Sequence, residues 1–368
     1  MVFISGNIEG SYRAQNIIKV LSDNKFRWVY IPWFLLLEQS KITKFMSITI
    51  TLLLFLPVRL VLIASSKKLI VLPMNFGPLL LLDMLVAKIF RREIIFDYYI
   101  SLYDTTVNDR KIVKLDSLRE KYVSWLEKKL TRWADVIVCL NNSEANYYKK
   151  YMCSCAKNKI KIIPLVVDRV SSRNIDTYIT SETFNICWWG TYIPLHGLDK
   201  LIEAFSLVEE NNVKLYIFGD YAEKAKPYVE LVERLDICEK VIFNHEYTFR
   251  NRKLPEFLNN KCDLALGNFG DSEKANTVLV NKLVDALALG IPCMTMETGA
   301  CNEFLDDRKN IILTKRSPSI QQILDGFEFV LNNKREIRRI GSRGLEVYNR
   351  EFCPEIFSER YLKLLNNV

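Results

Sequence analysis

The sequence has little that would place it outside an ordinary reducing, aqueous compartment. Its uncharged run from Phe45 to Val58 is shorter than the ~20 apolar residues a bilayer span requires, and Pro57 and Arg59 interrupt it. The opening MVFISGNIEG lacks a basic start followed by an apolar run and a small-residue cleavage site. It reads as a strand entering a turn, so a cytoplasmic protein is expected. Nine cysteines, an odd number scattered singly apart from Cys153 and Cys155, suggest neither a disulfide framework nor a zinc knuckle. No paired-aspartate metal motif is evident, no internal repeat or low-complexity tract appears, and no nucleic-acid recognition module is recognisable. Gly6 and Gly10 fall short of the dinucleotide fingerprint, and no acidic residue ends the second apolar run, FRWVYI, which argues against a nicotinamide cofactor.

What is present is a chain of 368 residues, 49% hydrophobic and 12% aromatic, enough for two cores of ordinary size. Its charge is uneven. Residues 1–170 carry a net +12 and residues 171–368 a net −4, within an overall +8. The basic half is expected to face something anionic, and a membrane surface fits better than nucleic acid. Lys41, Lys44, Arg59, Lys67 and Lys68 flank the apolar body of residues 41–68, which fits either an interfacial helix or a core helix over the first sheet.

Short apolar runs alternate with helical periods in both halves, the pattern of an α/β protein with parallel sheets. Residues 1–170 form one expected domain and 183–352 a second, with the polar stretch 168–182 as linker and 353–368 as a terminal helix. In the first, the run Glu93 to Phe96 ends in Asp97, at the carboxyl end of a strand where such sheets bind ligands. Asp104, Asp109 and Arg110 follow in a long loop, where local capping and ion pairing compete with a functional role. In the second, Lys274 and Lys282 bracket an apolar helical period that Gly290 and Pro292 stop. A helix starting near Thr277 or Val278 would aim free N–H groups and a positive dipole end at an anion, with Asp285 two turns in and able to reach a sugar hydroxyl. His196, one of two histidines, lies between Gly190 and Gly197 at a strand exit, a place suited to a phosphate contact.

The segment from Leu266 to Pro292 resembles the donor-binding segment of glycosyltransferase family 4, a GT-B family. The matching pieces are Leu266-Gly267, Phe269-Gly270, Lys274-Ala275, Val280-Asn281-Lys282, Asp285-Ala286-Leu287-Ala288 and Gly290-Ile291-Pro292. Gly190 to Gly197, the stretch from Asp97 to Lys111, and Gly10-Ser11-Tyr12-Arg13 resemble further series of one branch of that family. The resemblance implies two Rossmann-like parallel-sheet domains facing a cleft. It also implies retaining, metal-independent transfer of a sugar from a nucleotide diphosphate donor, UDP or GDP being expected, with no separate cofactor. Lys282, Lys274 and the helix near Val278 and Asn281 would hold the diphosphate, Asp285 the ribose, and Gly10, Gly190, Thr191 and His196 the phosphate loops. Tyr247 would sit near the base, competing with an ordinary half-buried tyrosine. Asp97 would face the acceptor hydroxyl, with Arg13, Asp104 and Arg110 on the acceptor side. Relatives of the branch imply a glycan or lipid-linked acceptor in surface polysaccharide or O-antigen assembly, at the inner face of the plasma membrane.

Three departures stand out. The wider family's first donor-side carboxylate falls on Thr277, and its loop arginine and lysine fall on Thr191 and His196. They leave open a nucleotide-sugar 2-epimerase and a non-catalytic degenerate transferase serving as a partner subunit.

Overall fold

The structure, a computed structural model, describes residues 1–8, 11–32, 55–73, 77–169 and 183–366. Gly10, residues 41–54 of the apolar segment and most of the expected linker (170–182) lie outside these. The chain divides into two units, Met1–Pro164 with Ser358–Val368, and Leu165–Phe357.

The first unit is built on six parallel strands: β1 (Val2–Ser5), β2 (Trp28–Tyr30), β3 (Lys68–Val71), β4 (Glu93–Asp97), β5 (Val136–Cys139) and β6 (Ile160–Ile162), in the order β2-β1-β3-β4-β5-β6. Strands β1, β4 and β5 are buried throughout or nearly so, which is why they read as continuous apolar runs. Helices join them. Ser11 caps the helix Tyr12–Asp23 by accepting from the Ala14 N–H at 3.3 Å, and Ser117 caps Leu118–Trp133 by accepting from the Glu120 N–H at 3.1 Å. Leu56–Ser65, the described part of the ambiguous apolar segment, is a helix with Pro57 at its first turn. Its Arg59 is buried and donates to Asp83 of the helix Gly77–Ile89 (Nε to Oδ1, 2.7 Å), so this part of the segment is anchored in the core. Among the described residues no helix is long and apolar enough to cross a membrane.

The second unit repeats the plan with β7 (Phe184–Gly190), β8 (Val213–Gly219), β9 (Val241–Asn244), β10 (Leu264–Leu266), β11 (Cys293–Met296) and β12 (Ile312–Thr314), in the order β12-β11-β10-β7-β8-β9. Every pairing is parallel. The chain builds outward from β7 through β8 to β9, then returns to lay β10 on the other side of β7. The carboxyl ends of β7 and β10 therefore border the point where strand order reverses, the crevice in which open parallel sheets take their ligands.

One expected boundary is wrong. The helix after the turn at 272–277 spans Asn281–Leu289, not a start near Val278. The turn closes on itself, with the Thr277 N–H and hydroxyl both donating to the Lys274 carbonyl at 2.9 Å. Val280, extended at φ −79° and ψ 144°, is the residue that enters the helix.

Candidate active site

Strand β7 is buried from Phe184 to Trp189 and ends at Gly190 with φ +147°, a conformation that disfavours any residue with a Cβ. A Cβ there would lie 3.1 Å from Nζ of Lys282 and 3.7 Å from Nε2 of His196, so the strand end and both side chains converge. The chain then makes a short helical turn, Pro194–His196, and passes through Gly197 at φ +57° into the helix Leu198–Ser206. At Gly197 a Cβ would lie 2.5 Å from the Phe269 carbonyl carbon, and the Phe269 N–H donates to the His196 carbonyl at 3.0 Å. The loop after β7 is thereby pressed onto the segment after β10.

Lys282 lies in the first turn of the helix Asn281–Leu289, which has no side-chain cap. First-turn N–H groups of such a helix are the ordinary donors to an anion. The Lys282 side chain is 5% exposed, and its ammonium has no hydrogen-bond partner among the described residues. It sits 4.0 Å from the centre of the Trp188 ring, which offsets a small part of the desolvation. Burial pushes its pKa well below the usual lysine range, against the smaller opposing influences of Cys293 and Asp285. His196 is likewise driven well below its ordinary value, by burial first and the Lys282 charge second, and its Nδ1 has no hydrogen-bond partner among the described residues. Asp285 accepts from Nε1 of Trp189 at 3.1 Å, and burial raises its carboxyl to about 7. Of the two side chains at this strand end, the Lys282 ammonium is thus the group that faces Gly190 without a hydrogen-bond acceptor among the described residues. An anion supplied from solution would restore the lysine's charge and satisfy it.

The remaining sequence-derived donor residues are placed less centrally. Thr191 is exposed, and Asn281 is exposed at the helix start. Val278 is partly buried, its carbonyl accepting from the Thr298 hydroxyl at 3.2 Å. Lys274 lies partly buried on the preceding turn. Tyr247 follows β9. Its N–H is held by Asn244 at 2.8 Å, and its ring packs on Phe218 and Phe257, leaving it half-buried. Sequence reading missed Trp188 and Trp189, the floor under Lys282 and the donor to Asp285. Their signal was an aromatic pair immediately before a glycine at a strand exit.

In the first unit, Asp97 is fully buried at the end of β4 and accepts from Nε of Arg13 at 2.6 Å. Arg13 also donates to the Pro164 carbonyl at 3.0 Å. Burial raises the Asp97 pKa, while Arg13 and then the Tyr361 hydroxyl pull it down. Arg13 and Asp97, two of the expected acceptor-side residues, therefore meet. Asp104 is in a separate cluster, accepting from Tyr147 at 2.6 Å and Asn108 at 3.0 Å, and Arg110 is exposed beyond it.

Residues 179–347, the greater part of the second unit, match the family described as glycosyl transferases group 1. No curated protein matches the chain in sequence. In three dimensions it resembles HepE of Anabaena, solved with UDP, at 13% identity and a TM-score of 0.71 over 100% of this chain and 99% of that one. Sucrose-phosphate synthase of Thermosynechococcus elongatus gives 13% identity and a TM-score of 0.72 over 100% and 98%. The lipopolysaccharide outer core galactosyltransferase WaaB gives 10% and 0.66 over 100% and 99%. The fold is GT-B, and the second unit carries a glycosyltransferase domain of group 1.

Proposed function

Starting from a chain that carries a group 1 glycosyl transferase domain in a GT-B fold, we propose that it moves a sugar from a nucleotide diphosphate-sugar to a glycan or lipid-linked acceptor in surface polysaccharide synthesis. The observation that carries the reading is the buried, unpartnered Lys282 ammonium beside Gly190 and the uncapped helix start at Asn281, all at the strand-order reversal. Departure of a nucleoside diphosphate builds charge on the β-phosphate. A fixed cation and first-turn N–H groups aimed at that position lower the barrier without rearranging during the reaction. In this reading lysine, not a divalent ion, meets that charge. His196 contributes a neutral imidazole that donates from one nitrogen, and Asp285 accepts from ribose hydroxyls. Lys274 and Thr191 line the approach of the phosphates, and Tyr247 flanks the base.

A retaining outcome follows if the departing phosphate takes the acceptor's proton on the face it leaves. Such a path needs no general base, which suits an Asp97 already engaged by Arg13. Asp97 then acts by holding the acceptor-side loops in place. The WaaB likeness supports a surface-polysaccharide role, and the UDP and UDP-glucose complexes of HepE support a uridine donor.

The test is a melting-temperature panel with UDP-, GDP- and ADP-sugars. A ligand at about 100 times its Kd stabilises the native state by ~2.7 kcal/mol. At roughly 2–4 °C per kcal/mol for domains of this size, that is a shift of several degrees. A UDP- or GDP-sugar is expected to give it. No shift with any of the panel would overturn the donor assignment.

A further inference from the structure

The first unit holds a cavity of about 270 Å³ beyond the carboxyl end of β4 that the donor chemistry does not use. Its interior is apolar, from Leu80, Phe96, Ile100 and Leu130, while Arg110 and Arg119 line it with exposed side chains. Neither guanidinium makes an ion pair or a side-chain hydrogen bond among the described residues, whereas the buried arginines 13 and 59 are both paired. The one carboxyl in the lining, Glu127, accepts from Ser101 at 2.6 Å and from the Tyr103 N–H at 2.5 Å. Burial lifts it to about 8, so at neutral pH it does not oppose an anion at the two arginines.

The surroundings continue the same chemistry. Ile112 is 57% exposed and Leu118 86%, and the helix Leu118–Trp133 carries Tyr122 and Trp125 outward beside exposed Lys121 and Lys128. Large apolar residues next to unpaired cations match a ligand that is apolar at one end and anionic at the other.

We propose that this cavity takes the apolar chain of an amphiphilic phosphate, with the phosphate held by Arg110 and Arg119. The inference deepens the lipid-linked acceptor of the proposed function and rests on that reading for its biological meaning. Two sources share the chemistry: a lipid-linked glycan acceptor and a bilayer phospholipid.

Titration calorimetry of the full chain with monomeric dodecyl phosphate, dodecyl maltoside and inorganic phosphate tests it. Saturable binding of dodecyl phosphate is expected, roughly tenfold or more tighter than either other probe. The double variant R110Q/R119Q should lose about tenfold in that affinity while its melting response to UDP is retained. Equal binding of dodecyl maltoside, or wild-type affinity in the variant, overturns the proposal. Phosphatidylglycerol vesicles that displace dodecyl phosphate would identify the source as the bilayer, and vesicles that fail to displace it would identify the lipid-linked acceptor. Dodecyl phosphate binding without any nucleotide response would sustain this site and sink the donor reading. A nucleotide response without dodecyl phosphate binding would do the reverse.

Discussion

Lys282→Met is expected to lower sugar transfer by roughly a hundred-fold or more and, at the same time, to raise the melting temperature of the unliganded protein. The two effects have one cause. The ammonium is 5% exposed, has no hydrogen-bond partner among the described residues, and rests against the Trp188 ring. Burying an unpartnered charge costs free energy in the absence of ligand, and methionine fills similar space without that cost. A gain of about 0.5–2 kcal/mol is the usual return from relieving a strained functional position. It corresponds to a rise of roughly 1–8 °C. The same replacement deletes the cation that faces the leaving diphosphate, and loss of one fixed group of that kind lowers turnover by roughly a hundred- to a thousand-fold. Wild-type transfer in the variant, or a fall in its unliganded melting temperature, would remove the lysine from the role given to it.

The pH dependence has a definite sign. The folded-state pKa of Lys282 lies below its unfolded value, so the unfolded chain binds the extra proton between the two. This residue's contribution to the stability of the unliganded protein therefore rises with pH. Affinity for a nucleoside diphosphate moves the other way, because the free site loses its charge at a pH lower than an exposed lysine would. Titrating UDP binding across the neutral to alkaline range, with Lys282→Met as reference, separates these trends.

How far the sequence could be read follows from which interactions are local. Buried parallel strands such as FNICWWG are legible as apolar runs, because a strand covered on both faces needs nothing polar. Gly190, Gly197 and His196 are close in the chain, and their place after a strand already points to a ligand loop. Lys282 is legible as part of an amphipathic period. Its meeting with Gly190 is not, since only the β7–β10 pairing brings those segments together. The helix start was misplaced for a similar reason. Thr277 and Val278 carry no signal against helix, but the turn at 272–277 satisfies its own hydrogen bonds and holds the chain extended as far as Val280. Asp97 was legible as a carboxylate at a strand end. Its partner Arg13 lies 84 residues away, and no local pattern connects them.

That pair sets the second large expectation, Arg13→Met. Asp97 has no solvent exposure, and Arg13 is the strongest influence opposing its desolvation. Removing one member of a buried pair leaves an uncompensated charge and costs roughly 3–5 kcal/mol. A fall in melting temperature on the order of 10 °C follows for a domain of this size. Without the guanidinium, the folded-state pKa of Asp97 rises further above its unfolded value. A carboxyl raised in this way favours the folded state at acid pH, and that contribution is lost as pH climbs through the folded pKa. The deficit of Arg13→Met against wild type should therefore be smallest near pH 5 and grow toward pH 8, a trend that thermal melts at the two ends would show. Asp97→Asn in the Arg13→Met background should recover part of the loss at pH 8, because the amide carries no charge to desolvate. A deficit that does not change with pH, and is not relieved by the second substitution, would mean that Arg13 stabilises the unit through its bond to the Pro164 carbonyl and not through Asp97.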